Sequence, residues 1–119
     1  MSYVIVTHES NFPIQPKDIV IKDHLWDAFG NSESEVSAAY IVRLCQEHGS
    51  WRPFTEEEIE AFYAKCGLRD GFTFNRLIDG VYGPIVKKDG LYYVTHAFIL
   101  RCFGSTYSTN VLKPAEQPA

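Results

Sequence analysis

Between Phe54 and Gly67 the chain carries the start, the buried face and the stop of one helix. Thr55 and Glu58 have the spacing of a capping box, in which each side chain accepts the other residue's free backbone N–H. Phe54 and Ile59 occupy the positions of a hydrophobic staple, which folds the incoming chain back onto the helix. Ile59, Phe62, Tyr63 and Cys66 then recur at i, i+3, i+4 and i+7, forming a single apolar stripe. Glu56, Glu57 and Glu58 fill the first turn, where the helix dipole favours negative charge, and Gly67 supplies the stop. Such a stripe demands a packed partner layer.

The same signals place the other elements. Ser32 and Glu35 repeat the capping-box spacing ahead of Val36, Tyr40, Ile41, Leu44, Cys45 and His48, and Gly49 closes that helix. Residues 73–79 read as a short helix holding Phe74, Leu77 and Ile78. Pro84-Ile85-Val86 and Leu91-Tyr92-Tyr93-Val94 flank turn residues 87–90, and Asp89-Gly90 marks a β-hairpin. Tyr92 and Tyr93 point to opposite faces of that hairpin, so one of them is expected at the surface. Thr95 caps a last helix through Phe98, Ile99, Leu100 and Phe103, ended by Gly104. Nearly every residue of that run is apolar, so periodicity alone leaves a strand open there. Upstream, residues 3–7 and 19–21 are β-branched and read as strands paired with each other, and Asp23 caps a short helix holding Trp26 and Phe29.

The chain has 119 residues, a length that suits one domain and can bury a core without disulfides or a structural metal. Residues 1–31 are expected to pack on a core of 32–104. Residues 105–119, rich in Ser, Thr and Pro, are expected to form a flexible tail. A net charge of −4 argues against a general nucleic-acid or acidic-membrane coat. No apolar run reaches the ~20 residues of a membrane helix and no signal segment opens the chain, so a cytoplasmic protein with no membrane partner is expected. Cys45, Cys66 and Cys102 sit inside apolar patterns and read as core thiols. Cys45, His48 and Cys66 make a conceivable zinc set, but no C-x-x-C or second ligand pair accompanies them, and neither metal nor cofactor is expected.

Three helices, a two-stranded hairpin and a closing helix, in that order over 32–103, resemble the winged-helix domain. The local pattern Asp89-Gly90-Leu91-Tyr92-Tyr93-Val94-Thr95 looks like a wing strand whose terminal Thr opens the last helix. The expected class is therefore α+β: a winged-helix-like core with an N-terminal β-strand extension. The chain departs from the family in one place: a small strand usually stands between the first two helices, and Ser50-Trp51-Arg52-Pro53 barely allows one.

Charge is unevenly spread. Residues 23–66 carry nine acids and three bases, whereas residues 67–103 carry five bases and three acids. The resemblance implies that the 73–79 helix and the 87–90 wing meet DNA, with Asn75 and Arg76 reading bases and Lys87, Lys88 and Arg69 near phosphates. The competing surface is acidic: Glu56, Glu57 and Glu60 would present a negative face to a basic protein partner. The uniformly apolar final run adds a possible homodimer contact at Phe98 or Phe103. His8, His24, His48 and His96 stand near no recognisable nucleophile, and the glycines match no phosphate loop. The expected function is a non-catalytic recognition module for a protein partner, with DNA-binding regulation as the alternative.

Overall fold

The computed structural model describes residues 4–7, 12–21, 33–66, 79–104 and 112–114. Within them a 3₁₀ turn, Pro16–Asp18, leads into β1, Ile19–Ile21. Helix α1, Glu33–His48, is followed by β2, Phe54–Thr55, and α2, Glu56–Cys66. A meander of β3, Gly80–Tyr82, β4, Ile85–Lys88, and β5, Leu91–Val94, precedes α3, His96–Gly104, and β6, Leu112–Pro114. The class is α+β. The main sheet is antiparallel in the order β2-β5-β4-β3, and β1 pairs with β6 in a second, two-stranded sheet.

The α2 start and its stripe as far as Tyr63 are realised as read, while the Cys66 side chain and Gly67 lie outside the described residues. The Thr55 N–H donates to Glu58 Oε1 at 2.9 Å and the Glu58 N–H donates to Thr55 Oγ1 at 3.2 Å, closing the capping box. Phe54 and Ile59, the staple pair, are both fully buried, and Phe62 and Tyr63 follow them into the core. The hydrogen bond from the Thr55 N–H, with the Arg52 guanidinium 2.8 Å away, holds the Glu58 carboxyl below the usual carboxylate range against the opposing effect of burial. Thr55→Ala is expected to cost about 1 kcal/mol through the lost cap. Urea melts of the two proteins check this, with the midpoint moving and the slope unchanged.

Helix α1 is buried far beyond a single stripe. Val36, Ala38, Ala39, Ile41, Val42, Leu44 and Cys45 are all inside. The cause is its central position, with β4 and β5, α2, and the 3₁₀ turn packed around it. Ala38 and Ala39, at 0% exposure, let those neighbours approach closely. Gly49, with φ +82°, ends the helix in the left-handed conformation expected of that position.

The hairpin differs from expectation in two ways. Its turn is only Asp89-Gly90, both residues at positive φ (55° and 79°), as a tight two-residue turn between twisted strands requires. Lys87 and Lys88, expected in the turn, therefore belong to β4. A third strand, β3, precedes the pair through Gly83-Pro84, and a fourth, β2, pairs Phe54 with Tyr92. The latter lies at Phe54–Thr55, directly after residues 50–53. Tyr92 is fully buried and Tyr93 half-exposed, as the alternation required. Thr95 caps α3, accepting from the Phe98 N–H at 3.2 Å, so the final apolar run is a helix.

The N-terminal strands do not pair with each other. Ile5 bridges Thr95 instead, with the Val6 N–H donating to Val94 O at 2.9 Å and the His96 N–H to Val4 O at 3.0 Å. Strand β1 finds its partner in β6, pairing Ile19 with Pro114. The stretch 105–119, expected as a flexible tail, thus supplies a strand at Leu112–Pro114. The Trp51 indole N–H donates to Ile14 O at 2.7 Å, and Gln46 Nε2 donates to Pro16 O and Ile19 O, so the 12–21 stretch is tied to the end of α1. The expected 23–29 helix lies outside the described residues. So does the 73–79 helix except for Asp79, which sits in a bend.

Candidate functional site

Beside the N-terminal end of α3 a cleft of about 320 Å³ opens between three elements. Ser34 and Glu35 of α1, Gly83 and Pro84 of the β3–β4 turn, and Thr95, Ala97 and Phe98 line it. Local chemistry builds each wall. The Thr95 N–H donates to Pro84 O at 3.1 Å, which joins the turn to the helix start. Gly83 holds φ +60°, a conformation that favours glycine, and an added Cβ would meet the Ser34 hydroxyl at an ordinary contact distance of 3.7 Å.

Helix α3 decides what borders that cleft. Phe98 and Ile99 face inward at 3% and 0% exposure, while Ala97 and Leu100 lie on the outer arc, a turn apart. Leu100 is 53% exposed, and Val4, whose carbonyl accepts the His96 N–H, is 59% exposed. Leu100 thus leaves an exposed apolar side chain on the same arc of α3 as Ala97, which borders the cleft, and Val4 leaves another on the stretch bonded to the helix start. The sequence carried no sign of it, because a run in which every residue is apolar does not reveal which side is wet.

The residues singled out from the sequence are dispersed. Glu56, Glu57 and Glu60 share the start of α2, with Glu57 and Glu60 exposed and Glu56 accepting from the buried Tyr92 hydroxyl at 3.5 Å. Lys87 is half-buried with its ammonium 5.2 Å from the Tyr92 ring centre, and Lys88 is exposed. At the hairpin tip the Asp89 N–H donates to the Asp79 carboxylate at 3.3 Å, so two acids stand beside those lysines. Phe98, expected at a contact between chains, is spent on the chain's own core. The Phe103 side chain, and Arg69, Asn75 and Arg76, lie outside the described residues.

Of the conceivable zinc set, the Cys66 side chain lies outside the described residues. Cys45 is buried and donates to Arg52 O at 3.6 Å, whereas His48 is exposed. Among the described residues no three His, Cys, Asp or Glu side chains come together as a metal site. Burial pushes the Cys45 thiol up to about 12, against smaller opposing effects of the Arg52 carbonyl contact and charge. Since only the thiolate attacks disulfide reagents, Cys45 is expected to stay unmodified in folded protein at pH 8 and to react fully in denaturant. Mass spectrometry after brief reagent exposure measures both. No helix among the described residues is long and apolar enough to cross a membrane. The chain matches no family model, no curated protein and no solved structure.

Proposed function

We propose that this chain is a non-catalytic recognition module that binds a protein partner through the outer arc of α3 and the adjoining cleft. One observation carries the reading. The two large hydrophobic side chains left exposed among the described residues both belong to this region: Leu100 lies on the outer arc of α3, and Val4 is bonded through its carbonyl to His96 at the start of that helix. Exposed apolar surface beside a concavity is where partner side chains gain most from leaving water. Glu57 and Glu60 supply a separate negative face that speeds the approach of a basic partner.

A photo-crosslinking residue at position 100, with one at exposed Ala64 as control, tests this in cells. The expected result is a discrete adduct from position 100 alone, lost in Ala97→Asp while the melting temperature is unchanged. Equal labelling from both positions would refute the α3 surface. Slower capture after charge reversal at Glu57 and Glu60 would assign the acidic face to the same partner.

A second reading, DNA binding by a winged-helix domain, is favoured by β2, which stands between α1 and α2, where the family places a small strand. The acids at the hairpin tip oppose it. Duplex-DNA titrations over a salt series decide between the two: steep salt dependence lost in Lys87→Ala and Lys88→Ala supports DNA, and its absence supports the protein reading.

A further inference from the structure

The two walls of the cleft beside α3 differ in chemistry. Pro84, Ala97 and Phe98 make one apolar, whereas α1 contributes the Ser34 hydroxyl and the Glu35 carboxylate, both from half-buried residues. No Lys or Arg stands among the described lining residues, so Glu35 sets the sign of the charge there. Such walls suit a long basic side chain, whose methylene stem lies along apolar surface while its head reaches polar partners. At about 320 Å³ the cleft is at the small end of ligand pockets and has room for one such side chain.

Two helix starts border the cleft, and a bare helix start favours an anion. Both are already answered within the chain. Glu33 and Glu35 stand in the first turn of α1, two full charges against a dipole end worth about half of one. At α3 the Thr95 hydroxyl accepts from the Phe98 N–H. An incoming anion would meet the Glu35 carboxylate, whereas an incoming cation would be paired by it. Glu35 also has an interaction within the chain, but a carboxylate offers about four lone-pair sites and accepts a further donor.

Leu100 follows Ala97 by one turn on the same exposed arc, a spacing of about 5–6 Å between Cβ atoms. In an extended peptide, side chains on one face recur every second residue, about 6.5 Å apart. We infer that the partner presents an extended segment with a Lys or Arg seated in the cleft against Glu35 and a large aliphatic residue, two positions away, on Leu100. This rests on the α3 surface proposed above and adds the chemistry of what binds there.

Random seven-residue peptides displayed on phage, selected on the full chain, test it. Those that crosslink to an apolar benzophenone side chain at position 100 are sequenced. They are expected to be enriched in a Lys or Arg two positions from a large aliphatic residue. In the tightest of them, replacing the basic residue by neutral Gln is expected to weaken Kd about tenfold on the wild-type chain, the worth of one charged hydrogen-bonded contact, and to change nothing on Glu35→Gln. Glu57→Gln, on the separate acidic face, is expected to keep the tenfold difference. So is Arg101→Gln, which removes the arginine of α3, whose side chain lies outside the described residues. If Glu35→Gln does not fold, Glu35→Asp keeps the first-turn charge but withdraws it by one methylene, and the difference is expected to shrink. Crosslinking peptides with no basic preference overturn the inference and leave the α3 surface standing. A difference that persists undiminished at the Glu35 variant, or vanishes in Glu57→Gln or Arg101→Gln, does the same. Selected peptides that give no adduct at position 100 refute the surface itself, and the inference with it.

Discussion

Phe62→Ala is expected to destabilise the protein by about 3–5 kcal/mol, a large share of the 5–15 kcal/mol typical of a whole domain. Phe62 is 5% exposed in the middle of the α2 stripe, and its ring meets Tyr40 of α1 edge-on at 6.3 Å. Truncation removes that contact and leaves a cavity between two helices that cannot collapse, because Tyr40 is also engaged by Tyr63 at 4.6 Å. Guanidinium unfolding measures the loss. A variant as stable as wild type would mean that α2 presents a different face to α1.

Trp51→Ala is the second large effect, and its consequences are spatially directed. Trp51 is 3% exposed, packs edge-on against Phe12 at 6.2 Å, and donates its indole N–H to Ile14 O. Alanine removes a large buried side chain, which typically costs about 3–5 kcal/mol, and strands a buried carbonyl as well. Because Phe12 and Ile14 belong to the 12–21 stretch, proteolytic cleavage there is expected to accelerate before global unfolding does. Trp51→Phe separates the contributions: it retains most of the packing and loses the hydrogen bond, costing about 1–3 kcal/mol. Cleavage that speeds up uniformly along the chain in Trp51→Ala would show that the indole supports the whole core and not this stretch in particular.

What was legible in the sequence was local. Thr55 with Glu58, Thr95, Gly49 and Asp89-Gly90 each act within a few residues, so their chemistry can be read without knowing the fold. Strand partners are different. The 4–6 and 19–21 stretches are both β-branched and adjacent in the chain, yet each pairs with residues near the other end of the sequence, at 94–96 and 112–114. Short strands such as β2 and β3 carry too few residues for alternation to register. The burial of α1 on nearly every side follows from its neighbours and not from its own period. The candidate surface was hidden for a related reason. Exposure of Leu100 depends on which arc of α3 the core claims, and Val4 joins it only through a bond to His96.

The position of β5 has a consequence for the order in which the molecule can form. This strand accepts β4 on one edge, and β2 together with the Val4–Val6 stretch on the other, and both of the latter precede it in the chain by long separations. During synthesis they emerge from the ribosome with no sheet to join, and they wait until Leu91–Val94 has been made. Each pairing then closes a long loop, whose entropic cost grows only slowly with length but must be met before the contact rewards it. Assembly is thus timed by one late segment, Leu91–Val94, together with Thr95 and His96 at the start of α3, which the Val4–Val6 pairing also needs.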